Sequence, residues 1–166
     1  TALKKACDIT QKAFLKAIKE VKPGKYEYEI EAELIGEMIR NGASGHSFAP
    51  IVASGADTCI LHYIKNDKIM QDGDLLLMDF GAEYANYAGD ATRTMPVNGK
   101  FSPRQKEVYQ AVCDIYKATI PLFKPGMTIH KINDFVFKKM DEALIKLGLY
   151  TQEDLLNQNP EKPLFN

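Results

Sequence analysis

The sequence is short of cysteine and has no excess of charge of either sign. Its 166 residues carry 21 basic and 22 acidic side chains. That balance argues against a nucleic-acid-binding tail or a polybasic membrane patch, so neither nucleic acid nor membrane is expected as a partner. No apolar run approaches the ~20 residues that span a bilayer. Nor does the opening Thr1-Ala2-Leu3-Lys4-Lys5 read as a signal peptide. With Thr rather than Met at position 1, the start is expected to be a processed or designed end. Cys7, Cys59 and Cys113 are odd in number, far apart and without C-x-x-C spacing, which speaks against a disulfide framework or a structural zinc site. Three reduced, partly buried thiols in a cytoplasmic protein are expected instead. Also missing are a G-x-S-x-G elbow, a phosphate-binding Walker loop, a G-x-G-x-x-G fingerprint and an H-E-x-x-H pair.

With 45% hydrophobic residues, the chain can build one domain with a sizeable core, or form a piece of a larger one. Apolar stripes at helical spacing run through Leu3, Ala6, Ala13, Phe14, Ala17, Ile18 and Val21, and again through Ile30, Leu34, Ile35, Met38 and Ile39. Pro23-Gly24 separates them and Asn41-Gly42 closes the second. The pattern then turns β-like. Residues 48–53 form a short run. Residues 75–80, Leu-Leu-Leu-Met-Asp-Phe, predict a strand covered on both faces. Residues 84–97 predict a second strand bent at Gly89. Two further helices follow, one opened by Ser102-Pro103 and one by Thr128. Lys22-Pro23-Gly24 and Lys124-Pro125-Gly126 each sit between two helices, so the chain reads as a helix pair with strands, then a second helix pair. By analogy the second pair should continue into strands, whereas residues 151–166 are polar and poorly patterned.

Two carboxylates stand out. Asp79 interrupts the most apolar stretch, where an ionised side chain is costly unless paired or bound to metal. Asp90 lies in Gly89-Asp90-Ala91-Thr92. A hairpin turning near Tyr84-Ala85 would set Asp79 directly opposite Asp90, with Cβ atoms ~5 Å apart. Such a pair repels, and a shared proton or a divalent cation resolves the conflict. The structural alternatives are a turn-capping role for Asp79 and a bend cap or an Arg93 partner for Asp90. His62, in Leu61-His62-Tyr63, is a third candidate, suited to proton transfer or to donating a hydrogen bond. His46 and His130 read as structural or solvated.

The ordered set Ile51-Val52-Ala53-Ser54-Gly55-Ala56, Leu61-His62-Tyr63, Asp79-Phe80-Gly81 and Gly89-Asp90-Ala91-Thr92-Arg93-Thr94 resembles the aminopeptidase P (Xaa-Pro aminopeptidase) family. The resemblance implies the α/β (α+β) pita-bread fold, in which two similar halves each hold a helix pair followed by antiparallel strands. Residues 1–101 would be the first repeat, 102–150 the helix pair of the second, and 151–166 a tail. It further implies that Asp79 and Asp90 bind two divalent metal ions, usually Mn2+, and that His62 contacts substrate or assists proton transfer. The implied reaction is hydrolysis of the bond before a proline at the second position of a peptide. The family also draws a histidine and two glutamates from its second half. These are not found here, so the chain is expected to be a truncated fragment, inactive and weak in metal binding without the missing C-terminal half of the domain. Prolidase, the dipeptidase on the same fold, is the neighbouring reading. A non-catalytic protein-binding pita-bread domain is another, and the retained aspartates argue against it. The apolar edge left for the second half suggests a homodimer of two copies about a two-fold axis.

Overall fold

The computed structural model describes residues 1–157, so the expectation for the tail beyond them lies outside the described residues. Two compact units divide between Phe101 and Ser102. In the first, helices α1 (Ala2–Ala17) and α2 (Glu27–Arg40) precede strands β1 (Gly45–His46), β2 (Ile51–Ser54), β3 (Leu75–Phe80), β4 (Ala82–Tyr84), β5 (Tyr87–Ala88) and β6 (Ala91–Pro96). The strands form two antiparallel three-stranded sheets, ordered β1-β4-β5 and β2-β3-β6. A 3-10 segment, Gly55–Cys59, follows β2.

The core lies between the helix pair and one face of β2-β3-β6. Ile9, Ala13, Ala17, Ile30, Leu34 and Met38 from the helices meet Val52, Leu76, Met78 and Phe80 from the strands. Burying each of the larger side chains contributes about 1.5–3 kcal/mol. Phe14 stacks on Phe80 with ring centroids 5.8 Å apart. The small residues of α1 have a second use. Gly89 lies so close to this helix that a Cβ there would fall 2.4 Å from Thr10 Oγ1 and 3.2 Å from the Ala6 carbonyl oxygen. Thr10 in turn accepts from Ala82 N–H and donates to the Ala6 carbonyl, each at 2.9 Å. The helix is thereby tied to the hairpin that carries both candidate carboxylates.

β3 differs from its sequence expectation. Its burial alternates, with Leu76, Met78 and Phe80 buried and Leu75, Leu77 and Asp79 partly open. The run of leucines suggested two covered faces; only one is packed under the helices. On the other face a small cluster of Ile51, Ala53, Tyr63 and Leu77 forms. The expected second strand at 84–97 is also broken, into β4, β5 and β6.

The second unit holds α3 (Pro103–Thr119), α4 (Ile129–Lys146) and a short α5 (Gln152–Leu156). Ser102 and Gln105 form a reciprocal capping box with Pro103 in the first turn, satisfying amide groups that a helix start otherwise leaves unpaired. Thr128 caps α4 by accepting from Lys131 N–H at 3.4 Å. Arg104 donates to the Leu147 carbonyl at 2.7 Å, joining the beginning of α3 to the end of α4.

Candidate metal centre

Asp79 and Asp90 come together, though in another register than expected. Asp79 pairs with Thr92, and Phe80 with Ala91. Beyond them Gly89 N–H donates to the Ala82 carbonyl at 2.8 Å, and Glu83 pairs with Ala88. Continuing the ladder places Gly81, not Asp79, across from Asp90. The cause is the turn. Its centre is Ala85-Asn86, both with left-handed φ of 52° and 64°, the two-residue geometry that matches strand twist. The sequence reading set the turn one residue earlier, which slipped the pairing by two.

Because side chains alternate with period two, a slip of two leaves Asp90 on the same face as Asp79, as its diagonal neighbour. The carboxyls feel each other. Partial desolvation first, then the Asp79 charge and a hydrogen bond shared with Asp79, hold the Asp90 carboxyl above the usual carboxylate range. Asp79 is half-buried and Asp90 exposed. Asp79 Oδ1 accepts from Thr92 Oγ1 at 3.0 Å, whereas Arg93 turns to the Thr92 carbonyl at 2.8 Å. Two hard oxygen donors in mutual conflict, open to solvent, fit a divalent cation. Among the described residues no cluster of three or more His, Cys, Asp or Glu side chains gathers as a complete metal cage. Two carboxylates alone fall short of such a cage.

His62 is exposed, on the turn after the 3-10 segment, with a left-handed φ of 53°. Its neighbour Tyr63 is buried against Ile51, Ala53 and Leu77. Ile51 is the cross-strand partner of Asp79, and Leu77 precedes Asp79 by two on the same face. The loop bearing His62 thus packs on the face of the sheet that carries Asp79. His46 and His130 are exposed.

What the sequence reading missed is the buried polar frame around this loop. Glu27, at the start of α2, is fully buried. Its Oε1 accepts from Ser54 N–H at 2.7 Å and Ser54 Oγ at 2.6 Å. Its Oε2 accepts from Tyr63 Oη at 2.8 Å and Lys68 N–H at 3.1 Å. Burial above all, then the hydrogen bond to Glu27 and its charge, drive the Tyr63 phenol well above its ordinary range, so it stays a donor. Asn66, also fully buried, accepts from Val52 N–H at 2.9 Å and donates to the Pro50 carbonyl at 3.0 Å and to Glu31 Oε2 at 2.9 Å. Near the loop, buried Asp57 Oδ2 meets Lys68 Nζ at 2.5 Å, in a geometry that forms an ion pair but no aligned hydrogen bond. The only sequence hint of Glu27 was a carboxylate one residue after the Tyr that opens a helix, a common and weak signal. The cysteines are free, but Cys7 and Cys59 are exposed and only Cys113 is half-buried, whereas partial burial was expected of all three. No helix of the described residues is long and apolar enough to cross a membrane.

The pattern of metallopeptidase family M24 matches residues 1–156. Xaa-Pro aminopeptidase of Escherichia coli strain K12 is 42% identical over 165 residues, covering 98% of this chain and 37% of that protein. The Haemophilus influenzae Xaa-Pro aminopeptidase is 44% identical over 147 residues, covering 89% and 34%. Among solved structures, a histidine-to-alanine variant of Escherichia coli aminopeptidase P superposes with a TM-score of 0.91 at 42% identity, covering 95% of this chain and 36% of that one. Pseudomonas aeruginosa aminopeptidase PepP gives 0.87 at 38% identity, covering 90% and 34%. The chain spans little more than a third of the length of these relatives. At such identity and overlap its fold is theirs, the pita-bread fold.

Proposed function

The chain belongs to metallopeptidase family M24, and we propose that it supplies one part of the active site of a dinuclear Xaa-Pro aminopeptidase. Asp79 and Asp90 would supply carboxylate oxygens to a pair of divalent ions, with Mn2+ the proposed metal. A histidine and two glutamates from outside this chain would complete the set. Residues 1–101 would form the first repeat of the domain and 102–150 the helix pair of the second. When bound, such ions would supply Lewis acidity and acidify water at the site enough for it to lose a proton near neutral pH. The rest is done by side chains. Asp79 and Asp90 hold and orient the ions, and Thr92 fixes one Asp79 oxygen. His62 donates a hydrogen bond to substrate or moves a proton. The substrate would be a peptide with proline at its second position, and the compartment the cytoplasm.

The observation that carries this reading is the register that sets two carboxyls on one face as diagonal neighbours; desolvation first, and the Asp79 charge second, raise the Asp90 pKa. Support also comes from the solved relatives. Escherichia coli aminopeptidase P has been solved with alanine in place of a histidine and of two aspartates, and these stand at the same spacing as His62, Asp79 and Asp90. Another form of it is zinc-substituted with product bound. Calorimetric titration of the 166-residue chain with Mn2+ tests the assignment. Weak binding is expected, falling at least tenfold in Asp79→Asn and in Asp90→Asn. Binding that both variants leave unchanged would remove the two carboxylates from the site. In the enzyme containing this chain, cleavage of Xaa-Pro peptides longer than two residues is expected; cleavage of dipeptides alone would point to a prolidase.

A further inference from the structure

His62 poses a positional problem that its own side chain does not solve. It is exposed and has a left-handed backbone conformation. For a residue with a Cβ that conformation is disfavoured and persists where the surroundings over-determine it. An exposed imidazole has little packing of its own to do so. The constraint has to come from the chain on either side, and the structure shows where it enters.

Four groups converge on Glu27. Two belong to Ser54, at the end of β2, and two to the loop, Tyr63 Oη and Lys68 N–H. The contact is doubled at Lys68, whose carbonyl accepts from Glu27 N–H at 2.9 Å. One fully buried carboxylate therefore bridges the strand beside β3 and the residue next to His62. Tyr63 is gripped at both ends, its ring by Ile51, Ala53 and Leu77 and its hydroxyl by Glu27. Since β2 pairs with β3 through Ile51 and Asp79, a continuous path of hydrogen bonds runs from the Asp79 backbone through β2, Glu27 and Tyr63 to His62.

We propose that Glu27 is a positioning residue, one whose buried carboxylate fixes the His62 loop against the strand pair that carries Asp79. The proposal rests on the reading of His62 as a group that meets substrate. The chemistry at Glu27 is specific. All four partners are donors, so a carboxylate satisfies them with its acceptor oxygens. Glutamine keeps the shape but turns an NH2 group towards Tyr63 Oη and Lys68 N–H. The phenol can rotate to accept; the backbone N–H cannot, and a buried donor then faces a donor.

The test is a double-mutant cycle in the metal-loaded enzyme that contains this chain, using an Xaa-Pro peptide. Expected are a fall in kcat of at least tenfold for Glu27→Gln, with KM and metal affinity within about twofold of the parent. In a His62→Ala background, Glu27→Gln should lower kcat no further, because its effect runs through His62. Tyr63→Phe, which keeps the ring and loses the hydroxyl, should give a smaller fall that vanishes in the same background. If Glu27→Gln lowers kcat equally with and without His62, or weakens the metal site, its role is general stability and the proposal is overturned while the reading of His62 stands. If His62→Ala leaves kcat and KM unchanged, the reading of His62 fails and the proposal goes with it. Should Glu27→Gln not fold, Tyr63→Phe carries the cycle alone. The NMR Cα shift of His62 in the 166-residue chain provides a readout free of catalysis. It should leave its left-handed value in Tyr63→Phe while β3 and β6 amides hold theirs, and an unmoved His62 shift would overturn the proposal.

Discussion

The closest approach in the candidate site is between two backbones, and one methyl group tests it. Gly81 follows the β3 aspartate by two and faces Asp90 across the hairpin. Its φ is outside the left-handed range, so alanine is conformationally allowed; only space objects. A Cβ there would lie 1.8 Å from the Gly89 carbonyl oxygen and 2.5 Å from Ser47 Oγ. The carbonyl must retreat by more than 1 Å to reach even a 3.0 Å contact. Three hydrogen bonds lie in its path: Ser47 N–H to the Gly81 carbonyl at 2.8 Å, Gly89 N–H to the Ala82 carbonyl at 2.8 Å, and Ser47 Oγ to the Gly89 carbonyl at 2.7 Å. Losing two of them costs about 1–3 kcal/mol, and overpacking adds about 1–3 kcal/mol. A destabilisation of about 2–6 kcal/mol follows, or roughly 8 °C or more in Tm for a unit of this size. Gly36 is the control. It lies inside α2, and a Cβ added to it would meet nothing within 4 Å. Gly→Ala in a helix interior gains up to about 1 kcal/mol. Calorimetry should therefore find Gly81→Ala melting far below the parent and Gly36→Ala slightly above it. A Gly81→Ala protein melting within about 3 °C of the parent would refute the close approach, and with it the register that sets Asp90 opposite Gly81.

Two other expectations concern charge and surface. The Asp90 pKa is raised from its ordinary 3.8, so the folded state binds the extra proton. Its ionisation opposes folding, and this penalty is absent below the unfolded pKa and sets in as pH rises through the folded one. Replacing Asp79 by Asn removes the neighbouring charge but not the desolvation; NMR titration of the Asp90 carboxyl should then show a lower midpoint still short of complete recovery, and an unchanged midpoint would mean the two groups do not interact. In the second unit Val112, Tyr116 and Ile145 are exposed; if such apolar surface drives the expected pairing of two copies, sedimentation equilibrium should show a concentration-dependent dimer, and a concentration-independent monomer would dismiss it.

The helices were the most legible part of the fold. Periodic apolar positions with Pro-Gly breaks located α1, α2, α3 and α4, because burial of one face leaves its mark at helical spacing. Ser102-Pro103 announced α3 through capping chemistry that is local in sequence. The strands were harder. Three consecutive leucines before Met78 suggested burial on both sides, yet Leu75 and Leu77 line the open face with Asp79, where Tyr63 arrives from a loop twelve or more positions away. Nothing local in β3 records that arrival. Glu27 was invisible for the same reason. Its four donors come from residues 54, 63 and 68, and a carboxylate near a helix start is ordinarily solvated there.

The nearness of the two carboxylates was legible because it tolerates one kind of error. Placing the turn at Tyr84-Ala85 instead of Ala85-Asn86 moved the pairing sum by two, so every facing pair was wrong. Side chains alternate across a strand, however, and a slip of two returns each residue to its own face. Asp79 and Asp90 became diagonal instead of directly opposed neighbours without parting company, and the Asp79 charge adds to desolvation in raising the Asp90 pKa. A turn residue inserted or lost would have shifted the register by one and sent the carboxylates to opposite faces, where no ion could join them. The constraint that matters chemically is thus face parity. Asn86, at home in the left-handed turn position, is the residue whose placement secures it.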